Sequence, residues 1–322
     1  MLALASPASL KGVLSPLEAA SQLAVGIRRV PGVEARELPV ADGGEGTAAV
    51  IHAALGGTWQ TARVSDALGR PVAAEWLLLD DGTAVVESAQ AIGLPRLRQG
   101  ERDPLLTTSL GLGELLLAAL TSQPAALLVC IGGTATVDGG AALRSVVGAR
   151  LADIPMRVLC DVRNPLLGER GAARVFGPQK GAGPEVVEQL EARLAGLDEL
   201  VPYRDLPGAG AGGGLGAALA ALGGELVAGA EFVLETIGFD ERVGGADLVV
   251  TGEGTVDATT LEGKAPGAVV RRCARLGVRC ELFGGVVRDD VPAHSLSGRR
   301  EFAAADLTQL GEQLARALVD FR

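Results

Sequence analysis

Four carboxylates stand where strand-like runs end. Asp138 lies in the loop Gly132-Gly133-Thr134-Ala135-Thr136-Val137-Asp138-Gly139-Gly140, Asp161 directly follows the run from Met156 to Cys160, and Glu253 and Asp257 come just beyond Leu248-Val249-Val250. Open parallel sheets bind ligands at the carboxyl ends of their strands, where a carboxylate can hold Mg2+ or take a proton from a hydroxyl. Any one of the four alone is as good a helix cap as a site. Three lysines, Lys11, Lys180 and Lys264, each sit beside a glycine. An ammonium next to Gly reaches phosphate without crowding, and neighbouring N–H groups share the charge. Together these residues predict phosphoryl transfer, which depends on positioning and charge neutralisation rather than on a covalent nucleophile. The two histidines fit that choice: His52 falls in an apolar helical run and His294 in a late polar loop, and neither has a Cys or Ser context that favours a triad.

Other phosphate and hydrolase motifs are excluded. The Gly-Lys at Gly263-Lys264 has Ala258 where a P-loop needs its first Gly and Ala265 where it needs Ser or Thr, and no G-x-S-x-G occurs. Gly208-Ala209-Gly210-Ala211-Gly212-Gly213 satisfies G-x-G-x-x-G in letters, but Tyr203-Arg204-Asp205-Leu206-Pro207 precedes it instead of a buried strand. A backbone nest for phosphate or acid, opening a helix near Leu215, is the alternative reading of that run.

The wider composition narrows the partners. The chain has 322 residues, 46 of them Gly, a net charge of −10 and 3% aromatic residues. Clustered glycines between apolar runs exclude collagen and flexible linkers. The acidic balance and scarcity of rings argue against nucleic acid and anionic membrane. Apolar runs such as Leu115 to Leu120 are too short to cross a bilayer, so a soluble, cytoplasmic chain, monomer or homodimer, is expected. Cys130, Cys160, Cys273 and Cys280 contain no C-x-x-C pair and read as small core residues.

The elements that must position these groups alternate between strand and helix. Leu2 to Ala5 predicts a buried strand, and Ser15-Pro16-Leu17-Glu18 combines an N-cap, a Pro at the first helical position and a capping-box Glu. A strand near Glu34 to Val40 and the loop Asp42-Gly43-Gly44-Glu45-Gly46-Thr47 follow, leading into a helical run from Ala48 to Leu55. From about 58 the texture changes to short runs, Thr61 to Val64, Val72 to Leu79 and Ala84 to Glu87, which predict an antiparallel meander. Further on, helices are predicted over Thr107 to Leu120, from Pro184 through Leu197 and over Ala265 to Leu276, with strands over Ala125 to Ile131, Met156 to Cys160, Ala246 to Val250 and Val278 to Phe283. Thr251 to Asp257 reads as a loop.

Six motifs taken together resemble the bacterial glycerate kinase family, the type unlike P-loop or protein kinases. They are Val40 to Thr47, Gly132 to Gly140, Cys160-Asp161-Val162-Arg163-Asn164-Pro165-Leu166, Phe176-Gly177-Pro178-Gln179-Lys180-Gly181, Leu206 to Gly216, and Thr251 to Asp257 with Thr260 and Gly263-Lys264-Ala265-Pro266. The resemblance implies an ATP- and Mg2+-dependent phosphotransferase acting on D-glycerate, usually at the 2-hydroxyl. It also implies a two-domain α/β fold, a Rossmann/flavodoxin-like parallel domain (1–57 and 241–322) and a second mixed α/β domain (58–240), with a cleft between them.

Carried onto this chain, it implies Asp161, Lys11, Lys264 and Asp138 as catalytic, with Asp138 competing with Asp161 for the base. Gly132, Gly133, Thr134, Gly252, Gly254, Gly210 and Gly212 would contact ATP; Asp42, Gly43, Gly44, Glu45, Asn164, Lys180 and Ser9 the acceptor; Glu253 and Asp257 Mg2+. The chain departs from the family pattern at Ala8, Val137 and Arg163, where Asp, Asn and Asp are usual. Those departures keep two alternatives open, a non-catalytic nucleotide- or small-acid-binding relative and a kinase for another small hydroxy acid.

Overall fold

The computed structural model describes residues 1–151 and 153–320; the last two positions of the expected 241–322 segment lie outside them. Among the described residues eleven strands occur in chain order: β1 (Leu2–Ala5), β2 (Glu34–Glu37), β3 (Thr58–Ser65), β4 (Pro71–Leu78), β5 (Thr83–Glu87), β6 (Ala126–Cys130), β7 (Met156–Cys160), β8 (Glu225–Ala228), β9 (Leu248–Val256), β10 (Cys280–Val287) and β11 (His294–Ser295). The chain divides into two compact units, one of residues 1–42, 49–54 and 230–322 and the other of 43–48 and 55–229. The protein is α/β in both.

The first unit holds a sheet of order β11-β10-β9-β1-β2 in which every pairing is parallel. Its first helix, Pro16–Ile27, begins as the sequence predicts: Ser15 Oγ accepts from Glu18 N (3.2 Å), and the Glu18 carboxylate accepts from Ser15 N (2.8 Å). Leu23 and Ile27 from that helix pack with Leu248, Val250 and Phe283 of the sheet and with Leu307, Leu310 and Leu314 of the helix Ala303–Asp320. The two helices meet backbone to backbone, since a Cβ on Gly26 would stand 1.9 Å from Thr308 O and one on Gly311 2.3 Å from Leu23 O.

The second unit holds a mixed sheet of order β3-β4-β5-β6-β7-β8. β3, β4 and β5 pair antiparallel, as the meander predicts, and β5 through β8 pair parallel. Its core is aliphatic, with Leu112, Leu115 and Leu116 of the helix Leu110–Leu120 against Leu127, Val129 and Val158 of the strands. Trp76 adds a buried ring to this largely methyl-rich packing, whose burial contributes about 25 cal/mol per Å2.

One predicted loop is corrected. Thr251 to Asp257 continues β9 to Val256, paired in parallel register with β10 through Val287. β-branched Thr251, Thr255 and Val256 favour extension, and β10 supplies the partner that a reading of local glycine content misses. Gly252 is required there because its Cβ would lie 2.1 Å from Phe283 O.

Candidate functional site

In the first unit the extended end of β9 carries Glu253 into a cluster. Its Oε1 accepts from Thr260 Oγ1 at 2.8 Å and pairs with Lys264 Nζ at 3.3 Å. Burial pushes the Glu253 carboxyl up from its ordinary range, Lys264 and Thr260 oppose that, and the nearby Asp42 charge adds to it. Lys264 is the N-cap residue of the helix Ala265–Leu276, whose Pro266 sits in the first turn. Ser9, Leu10, Lys11, Glu253, Gly254 and Lys264 line a cavity of about 300 Å3. Asp257 is the N-cap of the short helix Ala258–Gly263: its Oδ1 accepts from Thr260 N (3.2 Å) and Thr259 Oγ1 (2.5 Å), which hold its carboxyl below the usual range. The capping reading of that carboxylate is therefore the one its contacts display.

In the second unit the glycine loops touch. Gly132 N donates to Gly43 O at 3.3 Å, and a Cβ on Gly132 would stand 2.6 Å from Gly44 Cα. Glu45 is exposed, Gly133 exposed and Thr134 buried; Asp42, the last residue of a first-unit segment, is half-buried. Three successive glycines, Gly212, Gly213 and Gly214, have φ of 63°, 74° and 96° before the helix continues through Ala221. Gly210 packs on Asn164 and Pro165, and its N–H donates to Asn164 O at 2.9 Å. A Cβ on Gly213 would meet Thr136 O at 1.9 Å. These glycines are demanded by left-handed backbone and close packing, and they bring 131–139, 164–165 and 210–214 together.

Two candidate residues of this unit are enclosed. Asp138 accepts from Ser109 N (2.8 Å), Ser109 Oγ (2.7 Å) and Gly140 N (3.1 Å), and Ser109 Oγ in turn accepts from Leu143 N (3.0 Å) at the start of the helix Ala141–Val147. Lys180, 3% exposed, donates to Thr136 O (2.8 Å) and Thr134 Oγ1 (3.2 Å). Burial pulls its ammonium down to about 7, against the opposing charge of Asp138. Asp161 lies half-buried at the end of β7, where its charge adds to the burial that lifts the Cys160 thiol to about 11.

Sequence reasoning missed Ser109 and Glu87. Glu87, 3% exposed at the end of β5, accepts from Ala48 N (2.6 Å) and Gly46 N (3.3 Å) at the start of the helix Thr47–Leu55. Burial is the main cause that pushes its carboxyl up to about 7. A carboxylate ending an otherwise apolar strand was the available signal for Glu87; Ser109 falls inside the run predicted helical from Thr107, whereas the helix begins at Leu110 with Ser109 as its N-cap residue. The departures separate: Val137 is buried in the core with Leu166, Ala172 and Leu190, Ala8 is buried, and Arg163 is exposed. No helix among the described residues is long and apolar enough to cross a membrane.

Carboxylates and lysines beside glycine loops are thus set on two α/β units, each built on a sheet with parallel strands. Comparison narrows the class. The model of the glycerate kinase family matches residues 3–155 and 144–320. The chain is 39% identical to the glycerate 2-kinase of Escherichia coli (strain K12), covering 89% of this chain and 85% of that protein. It is also 39% identical to the glycerate kinase of Bacillus subtilis (strain 168), covering 88% and 85%. A crystal structure described as a glycerate kinase 2 from Salmonella typhimurium LT2 superposes with a TM-score of 0.80 at 33% identity, covering 99% of this chain and 98% of that one. The chain belongs to the glycerate kinase family.

Proposed function

We propose that the protein transfers the γ-phosphoryl group of ATP to the 2-hydroxyl of D-glycerate, giving 2-phosphoglycerate and ADP. The observation that carries this reading is the Glu253–Lys264 pair at a glycine-flanked cavity that also includes Lys11, in a chain of this family. Lys11 and Lys264 neutralise phosphate or carboxylate oxygens. Asp161 takes the acceptor hydroxyl proton as that oxygen bonds to phosphorus and the bridging oxygen leaves with ADP. Asp138, with both oxygens engaged, supports the loop that carries Gly132, Gly133 and Thr134. Ser9, Asp42, Gly43, Gly44, Glu45 and Asn164 are assigned to the acceptor, and Lys180 fixes Thr134 and Thr136 from within.

Mg2+ takes hard oxygen ligands, keeps several waters and uses one or two carboxylates with substrate phosphates. Glu253 lines the cavity with the Asp42 charge nearby and would be the carboxylate that holds the ion, whereas Asp257 does not line it and caps the helix Ala258–Gly263. When bound the ion supplies charge neutralisation to the phosphates.

The test is an ADP-release assay with D-glycerate and Mg-ATP, with phosphorus NMR locating the new ester. Turnover with the ester on C2 supports the reading. Thermal stabilisation by ATP or glycerate without ADP release overturns it in favour of a binding relative, and turnover only with a different hydroxy acid overturns the substrate.

A further inference from the structure

Glu87 is a buried titratable group to which the proposed reaction gives no part. Its two oxygens serve a single loop, Oε1 accepting from Ala48 N (2.6 Å) and Oε2 from Gly46 N (3.3 Å). Thr47, between those two residues, closes the same loop, its Oγ1 accepting from Gly43 N (3.2 Å) and donating to Gly44 O (2.8 Å). Gly43 in turn presses on β7, where a Cβ would stand 2.7 Å from Leu159 Cβ. Residues on both sides of Glu45 are thus fixed, and Glu45 is the one exposed residue of 43–48.

A helix start alone does not call for such a group. A neutral Ser or Thr close in sequence caps N–H groups well, whereas Glu87 comes from 39 and 41 positions away and carries the desolvation cost of a buried carboxylate. Burial lifts its carboxyl to about 7, the Glu45 charge adds to the rise, and the two N–H contacts oppose it. The helices Thr47–Leu55 and Ser88–Ile92 beside it hold His52 as their one titratable residue, and Cys130 of β6 is its register partner. Protonation turns one carboxylate oxygen into a donor. That oxygen then loses its N–H, and the hold on the loop weakens.

We infer that Glu87 is a positioning residue for acceptor binding: its ionised carboxylate draws Gly46 and Ala48 inward and so sets where Gly43, Gly44 and Glu45 meet the small acid. The inference rests on the assignment of that loop to the acceptor.

Calorimetric titration of the full chain with D-glycerate at about pH 6 and about pH 8 tests it without turnover. The wild type binds D-glycerate about tenfold more weakly at the lower pH, the ratio expected for a carboxyl near 7. Glu87→Gln binds it equally at both, with the wild type's low-pH affinity. At about pH 8 the same variant binds adenylyl imidodiphosphate with Mg2+ as the wild type does and melts no lower, which a merely structural cap would not combine with weaker glycerate binding. If Glu87→Gln does not fold, Glu87→Asp replaces it: the charge stays but the reach shortens, and glycerate binding at about pH 8 weakens. Equal wild-type affinity at the two pH values, wild-type glycerate affinity at about pH 8 in the folded variant, or no glycerate binding by the wild type overturns the inference. Glycerate binding that depends on Glu87 without ADP release keeps it and removes the kinase reading; turnover with Glu87-independent binding does the reverse.

Discussion

The two units use the same chemical vocabulary, a carboxylate and a lysine near glycines, and put it to opposite use. Around Glu253 and Lys264 the charges border a cavity, Glu253 8% exposed and Lys264 half-buried. Around Asp138 and Lys180 they are 2% and 3% exposed, spent on Ser109, Gly140, Thr134 and Thr136. A buried polar group is costly unless hydrogen-bonded, so the enclosed pair holds a loop's shape, while the bordering pair remains available to a ligand. Similar residue types thus sit in two settings, one bordering a cavity and one hydrogen-bonded inside the unit.

The sharpest way to break this contrast is to delete one member from each side. Asp138→Ala leaves Ser109 N–H, Ser109 O–H and Gly140 N–H without their acceptor and is expected to cost about 3 kcal/mol or more in denaturant unfolding. Lys264→Ala is expected to cost about 1 kcal/mol of stability, as for a partly exposed ion pair, and to lower turnover roughly a hundredfold or more. If Asp138→Asn melts like the wild type yet loses turnover to the same extent, Asp138 is the base and the contrast collapses.

The enclosed side also titrates. Glu87 holds a proton in the folded state up to about pH 7, while its unfolded carboxyl releases it near 4.5, so stability falls as pH rises through that window. Lys180 is the mirror: its folded ammonium loses its proton near 7 and its unfolded one near 10.5, so stability rises from about pH 7 towards 10. Urea midpoints across pH should therefore show a shallow minimum near neutrality. Glu87→Gln flattens the acid limb alone and Lys180→Met the alkaline limb alone. A profile unchanged by Lys180→Met would mean that its ammonium is solvated, contrary to its burial.

Much of this fold is legible in sequence because local rules coincide with tertiary ones. Ser15, Pro16 and Glu18 start their helix wherever it packs, and the meander from β3 to β5 follows from short β-branched runs and turns. The extension of β9 through Gly252 and Gly254 is not legible, because it depends on β10 lying alongside. For the same reason Lys180 reads as a ligand group: the covering segments that bury it come from 134–136, more than forty positions away. Residue type and spacing locate the candidate loops; which face of each loop water reaches is decided by segments remote in the chain.

Asp257 lies on the boundary between the two behaviours, and the smallest expected effect tests it. Its carboxylate caps Ala258–Gly263 as an ordinary structural residue would, yet it stands next to the end of the strand that carries Glu253. Asn caps a helix about as well as Asp, so Asp257→Asn should change the melting temperature by only about 1 °C, a few tenths of a kcal/mol. An amide oxygen is a neutral and weaker Mg2+ ligand than a carboxylate. If Asp257 reaches the ion, Asp257→Asn raises the Mg2+ concentration for half-maximal rate by about tenfold, with saturating Mg2+ restoring most of the turnover. If it only caps, the Mg2+ dependence stays that of the wild type, and Glu253 is left as the carboxylate that serves the metal while Asp257 joins Asp138 among the residues that hold shape.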